Sequence, residues 1–141
     1  MSRIEPIFLC DWADGTAVDV FTDFDGSRWS AYRDEEAVPV QDKPEYQGVE
    51  ILLAYYSYED YSGDAFVLFQ RDGKLYEVNG GHCSCYGMEG QWEPEETTAE
   101  ALRHRIEKGG FGRNYDDMNK FADELSGLLD AMEAQCPKIR R

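Results

Sequence analysis

The residue types with the most reactive chemistry lie together in the run His82-Cys83-Ser84-Cys85. Thiolates and imidazoles are the ligands that hold zinc, and a structural zinc site needs four of them, commonly from Cys-x-x-Cys pairs. Cys83 and Cys85 stand only two apart, so on a strand both point to one side, with His82 and Ser84 on the other. A zinc centre on His82, Cys83 and Cys85 therefore needs Cys10, Cys136, His104 or an acid to converge on it. A nucleophilic thiol is the other chemistry open to the run, with His82 or His104 as its base. Adjacent strand residues point apart, which places His82 badly for activating Cys83, and acidic surroundings raise a thiol's pKa. Buried thiols packed as small hydrophobes account for the same residues, and with them goes the expectation of no cofactor.

Carboxylates are the next group. Asp60, Asp64, Glu93, Glu95 and Glu96 have the chemistry for proton transfer or for binding a hard cation. The run Asp60-Tyr61-Ser62-Gly63-Asp64 lacks the spacing of an EF-hand loop, however, and ordinary turn and cap chemistry is the better account of these acids. Gly109-Gly110-Phe111-Gly112-Arg113 is glycine-rich but has no Lys-Ser/Thr of a phosphate loop, and it follows a helix where such a loop precedes one. A helix stop and turn is expected there. Tyr55, Tyr56, Tyr58 and Tyr61, with Trp92, form an aromatic group around a polar turn, and such rigid amphipathic rings are favoured at protein interfaces. The expected interface residues are Tyr56, Tyr58, Tyr61, Asp60, Asp64, Trp92, Glu93, Glu95 and Glu96.

Charge limits the class of partner. The 141 residues carry 29 acids against 14 bases, a net charge of -15. The first half is the more acidic, with 15 acids against 4 bases in residues 1–70 and 14 against 10 beyond. That field repels nucleic-acid phosphate and anionic lipid, so neither is an expected partner. A basic protein surface is. No apolar run approaches the ~18 residues of a membrane span. The opening MSRIEPIFLCDWADG has an acid inside its apolar run and no small-residue cleavage site, so it does not read as a signal peptide. Reduced thiols and a cytoplasmic location are expected.

These residues must be positioned by a chain whose length suits one domain over 1–141. Ile4–Trp12 reads as a first strand. Val18, Val20 and Thr22 alternate with Asp19, Phe21 and Asp23, which predicts a strand over 16–24 and, with Asp25-Gly26 and Arg28–Tyr32, a hairpin over 16–33. Acids and prolines make 34–48 a long loop. Val49–Tyr58 (VEILLAYYSY) is apolar throughout and predicts an interior strand. Ala65–Gln70 and Leu75–Val78 flank Asp72-Gly73, the pair typical of a tight hairpin. Asn79-Gly80-Gly81 predicts a further turn, with one more short strand at His82–Tyr86.

Thr97 with Glu100 fits a capping box for a helix over about 98–108, stopped at Gly109-Gly110. Met118, Phe121, Leu125, Leu128 and Met132 recur at three and four residues, predicting a helix over about 115–135. Strands followed by helices imply an α+β fold: an antiparallel sheet of about five to six strands over residues ~4–86, then two C-terminal helices packed on one face.

The segment YSGDAFVLFQRDGKLYEVNGGHCSCYGMEGQWEPEETT, residues 61–98, resembles a block in a group of small uncharacterised acidic proteins of bacteria and their phages. The shared core is GGHCSCYG-x-EGQWEPEET. The resemblance implies a cytoplasmic accessory role and assigns no functional residue. Small acidic phage-type proteins are often inhibitors of host enzymes, which implies a non-enzymatic interaction protein that covers a basic, nucleic-acid-binding surface. The alternative is a small metal- or thiol-dependent enzyme centred on His82-Cys83-Ser84-Cys85.

Overall fold

A computed structural model describes residues 6–25, 42–59, 62–83, 91–113 and 118–135, with the backbone alone described at 58, 59, 62, 82, 83 and 133–135. Five strands form one sheet in the order β1 (Ile7–Cys10), β2 (Glu50–Glu59), β3 (Ser62–Arg71), β4 (Lys74–Cys83) and β5 (Glu95–Thr97). Helix α1 spans Ala17–Asp25, α2 spans Ala99–Gly109 and α3 spans Ala122–Gln135. The fold is α+β. The sheet is mostly but not wholly antiparallel: β1 lies parallel to β2, with Ile7 opposite Leu53.

The long hairpins carry the sheet. Between β3 and β4, Asp72 (φ 55°) and Gly73 (φ 79°) both take the left-handed conformation that a two-residue hairpin turn demands. That register sets Val67 opposite Val78 and Phe66 opposite Asn79. Successive residues of Ala65–Phe69 then face opposite ways. Ala65, Val67 and Phe69 join one core cluster with Val20, Phe21 and Phe24 of α1. Phe66 and Leu68 join the other with Leu102 of α2 and Leu125, Leu128 and Leu129 of α3. Both faces are covered by helix, which is why the run AFVLF is apolar at every position. The two C-terminal helices share one face, as the sequence predicts.

Residues 17–25 correct the expected hairpin over 16–33. They form a helix, and 26–33 lie outside the described residues. Thr16 opens α1: its carbonyl accepts from the Val20 N–H at 3.4 Å, while its own N–H donates to Asp19 Oδ2 at 2.8 Å. This is one half of a capping box, the carboxylate reaching back to the N-cap N–H, while the Thr16 hydroxyl donates to the same oxygen at 3.2 Å. Val20 and Phe24 then stack one turn apart on the buried side, whereas Val18 is 40% exposed. Helical periodicity outweighs the local alternation because Phe21 and Phe24 both need the sheet. The Trp12 indole donates to Asp23 Oδ2 at 2.8 Å and ties the end of β1 to this helix.

Asn79-Gly80-Gly81 is not a turn. β4 runs straight through it to Cys83, because β3 offers partners along its whole length, with Ala65 opposite Gly80 and Asp64 opposite Gly81. A strand at 82–86 distinct from 75–78 is therefore replaced by one long strand, and 84–86 lie outside the described residues. Within the long loop expected at 34–48, Pro44–Tyr46 form a single 3-10 turn, and 34–41 lie outside the described residues.

The cap of α2 is Thr98, one residue later than expected, its hydroxyl accepting from the Ala101 N–H at 3.0 Å. Thr97 belongs instead to β5, a strand too short for alternation to reveal in the sequence. Gly110 (φ 69°) ends α2 in the left-handed conformation. Helix α3 starts at Ala122 and not near 115. The Gly112 carbonyl accepts from the N–H groups of Lys120, Phe121 and Ala122 (2.7–3.2 Å), which holds 120–122 in a turn against Gly112. Met118, placed on the apolar stripe by its spacing, is 62% exposed.

Candidate functional site

The expected interface residues divide between the two faces of the sheet. Tyr55 and Tyr56 are neighbours on β2 and so point apart. Tyr55 is buried, its ring 5.0 Å from that of Phe121. Tyr56 is half-buried on the α1 side, 5.0 Å from Trp12. Tyr55 and Tyr56 therefore do not share one exposed patch. Tyr58, Tyr61 and Asp60 have side chains outside the described residues.

Asp64 sits at the polar end of the α3 face. It accepts from Ser57 Oγ at 3.0 Å and pairs with Lys120 Nζ at 2.6 Å. The same ammonium lies 5.6 Å from the Tyr55 ring centroid. Burial pushes the Tyr55 phenol above its ordinary pKa, and Asp64 adds to this while Ser57 and Lys120 oppose it. Asp64 is thus committed to holding the start of α3 against the β2–β3 hairpin.

Trp92 also departs from expectation. The sequence suggests an exposed ring beside exposed acids, but the ring is half-buried in an aromatic box. It lies edge-on to Phe21 (5.8 Å), Phe24 (5.3 Å) and Tyr46 (5.1 Å) and stacks on Phe69 (5.3 Å). Its indole Nε1 is buried with no hydrogen-bond partner among the described residues. Tyr46 shares the box, and burial, reinforced by Asp25 and Glu45, pushes its phenol pKa far up.

What lets Trp92 enter the box is its neighbour. β4 and β5 pair in a register that sets Glu77 opposite Glu95, and the same register continued sets Gly81 opposite Gln91. Before Glu95 the backbone ladder stops. Gln91 resumes it with a side chain: its amide oxygen accepts from the Gly81 N–H at 2.9 Å, and its amide nitrogen donates to the Gly81 carbonyl at 2.7 Å. The backbone between is released from pairing and turns Trp92 inward.

The acids Glu93, Glu95 and Glu96 remain on the surface, as do Asp11, Asp14 and Asp19 at the other end of the sheet. Most of the described cations behave differently, although Lys74 and Lys108 are also exposed. Lys43 is held by Asp25 (2.7 Å), Arg103 by Asp130 (2.6 Å), Arg113 by Asp123 (3.1 Å) and Arg105 by Glu77 (2.6 Å). Arg71 lies 5.7 Å from the centroids of both Phe69 and Tyr76. Sequence counting shows the excess of acids but not this second fact, which depends on long-range pairing.

His82 and Cys83 close β4; their side chains, and the whole of Ser84 and Cys85, lie outside the described residues. Among the described residues no group of three or more His, Cys, Asp and Glu is arranged to hold a metal ion. No described helix is long and apolar enough to cross a membrane.

The class these observations define is an α+β protein with a five-stranded mixed sheet, helices on both faces and an acidic surface. No family model matches the chain, and neither a curated protein nor a solved structure matches it.

Proposed function

We propose that the protein is a non-enzymatic interaction protein, a cytoplasmic accessory chain whose acidic surface binds a basic protein surface and blocks a nucleic-acid site there. The observation that carries this reading is the unequal treatment of charge. Lys43, Arg103, Arg105, Arg113 and Lys120 are each neutralised by an acid of the same chain. Asp11, Asp14, Asp19, Glu93, Glu95 and Glu96 are left exposed. Lys74 and Lys108 are exposed as well, but the acids outnumber them, so the outward field is negative, in keeping with the net charge of -15. Such a field speeds encounter with a basic partner and disfavours acidic ones. The likeness of residues 61–98 to small acidic phage-type proteins points the same way.

The test is capture of partners from a bacterial lysate on the immobilised protein, eluted by a salt gradient. A basic nucleic-acid-binding protein should be retained at low salt and released as the Debye length contracts from ~10 Å at 0.1 M towards ~3 Å at 1 M. The released partner should lose nucleic-acid binding when the acidic chain is added back. Absence of any salt-sensitive partner would sink the reading.

A further inference from the structure

The two ends of the sheet differ. β1 ends it with Ile7–Cys10, which carries no charge of its own, and β5 ends it with Glu95–Thr97. No strand pairs beyond β5 among the described residues. Its open side can be assigned from Gly81. That residue sends both its N–H and its carbonyl towards Gln91. Backbone groups of alternate strand residues point the same way, so those of Glu77 and Leu75 also face β5 and bond Glu95 and Thr97. Glu96, between them, turns its N–H and carbonyl outward.

Side chains frame that outward peptide group on both faces. Glu95 lies on the face of Glu77 and α2, and Glu96 lies on the face of Tyr76. Both are exposed, as are Glu93 before them and Glu100 after. Of the neighbouring cations, Arg105 is bound to Glu77 and Arg103 to Asp130, Arg71 covers aromatic rings, and Lys74, exposed on the face of Tyr76 and Glu96, is one positive charge beside four glutamates. A second copy of the chain is a poor occupant, since pairing this edge with itself sets glutamate against glutamate.

We propose that the outer edge of β5 is the docking site for the partner, and that it takes an extended lysine- or arginine-bearing segment as an added strand. The inference rests on the proposed function and narrows it to one edge and one binding mode. Backbone pairing at Glu96 supplies alignment, and Glu93, Glu95 and Glu96 supply selection for positive charge.

The experiment is an NMR titration of the full chain at low salt with a synthetic peptide of alternating lysine and threonine. The same peptide N-methylated on every residue keeps its charge but cannot donate from either of its edges. Amide shifts should centre on Glu95–Thr97, the Glu96 amide should become protected from exchange, and N-methylation should weaken binding at least ~10-fold. Glu96→Lys should weaken it likewise while thermal melting stays unchanged. Equal binding of the N-methylated peptide overturns the edge proposal, as do shifts centred on Asp11–Asp19, and both results leave the basic-partner reading standing. No binding of either peptide at low salt overturns both.

Discussion

Arg105 on α2 reaches Glu77 on β4 with Nη1 2.6 Å from Oε2, and its guanidinium lies 4.0 Å from the Phe111 ring centroid. Glu77 is the buried charged residue of the sheet at 5% exposure, and Asn79 donates to its other oxygen at 2.9 Å. Removing one partner of such a pair leaves an uncompensated buried charge, while replacing both with apolar groups need not. Arg105→Leu is expected to cost about 3 kcal/mol. The Glu77→Leu/Arg105→Leu double variant should be more stable than Arg105→Leu. Urea unfolding of the three chains checks this, and a double variant no more stable than Arg105→Leu would refute it.

Gly112 is held where no side chain fits. Its φ is 84°, and an added Cβ would stand 2.8 Å from the Ala122 nitrogen. Gly73 has a similar φ of 79° with nothing within 4 Å. Gly73→Ala should cost only the left-handed strain, ~1–2 kcal/mol. Gly112→Ala should cost at least ~3 kcal/mol, since the start of α3 must also move. Equal losses in thermal melts would show that crowding at Ala122 has no effect.

Trp92 carries a buried N–H without an acceptor among the described residues. Trp92→Phe removes that desolvated donor while keeping a ring in the box, so its net cost should be within ~1 kcal/mol. Trp92→Ala leaves a cavity between Phe69 and Tyr46 and should cost ~3–5 kcal/mol. A Phe variant as unstable as the Ala variant would mean that the indole N–H has a partner.

Tyr46 gives the fold an alkaline limit. Its phenol is raised above the ordinary 10.0, first by burial and then by Asp25 and Glu45, and Tyr55 is raised in the same direction. Above pH 10 the unfolded chain releases these protons while the folded chain keeps them. Stability is therefore intact below that pH and falls as pH rises towards the folded values. Tyr46→Phe should flatten the fall between pH 10 and 11 and leave the melting temperature at pH 7 within a few degrees. An unchanged alkaline slope would exclude Tyr46 as its source.

The parts legible in the sequence were those fixed by local chemistry. Asp72-Gly73 predicts its hairpin because both residues tolerate positive φ. Gly110 ends α2 for the same reason, and Phe121, Leu125 and Leu128 reveal the buried side of α3. The failures arose where a distant partner decides. Val18 and Val20 alternate as in a strand, yet the sheet beneath needs Phe21 and Phe24 on one helical face; the Thr16–Asp19 spacing was the available signal. Asn79-Gly80-Gly81 has turn composition, but β3 supplies Phe66, Ala65 and Asp64 as strand partners opposite all three residues. Trp92 reads as surface because its neighbours are acids, and only the Gln91 amide explains how it turns inward.

The parallel pairing of β1 with β2 has a kinetic consequence. β2, β3 and β4 follow one another through tight hairpins, so their pairing closes short loops. Joining Cys10 to Tyr56 closes a loop about one third as long as the chain. That is a larger entropic cost, met by a strand of only 4 residues. The three-stranded meander is thus expected to assemble first, with β1 joining the β2 edge last and α1 covering the exposed face. Pulse-labelled exchange should show Val67 and Val78 protected before Leu9. Until that late step the Ala65–Val67–Phe69 surface is bare, so a nascent chain stopped before β2 emerges holds its first helix without a sheet to fold upon.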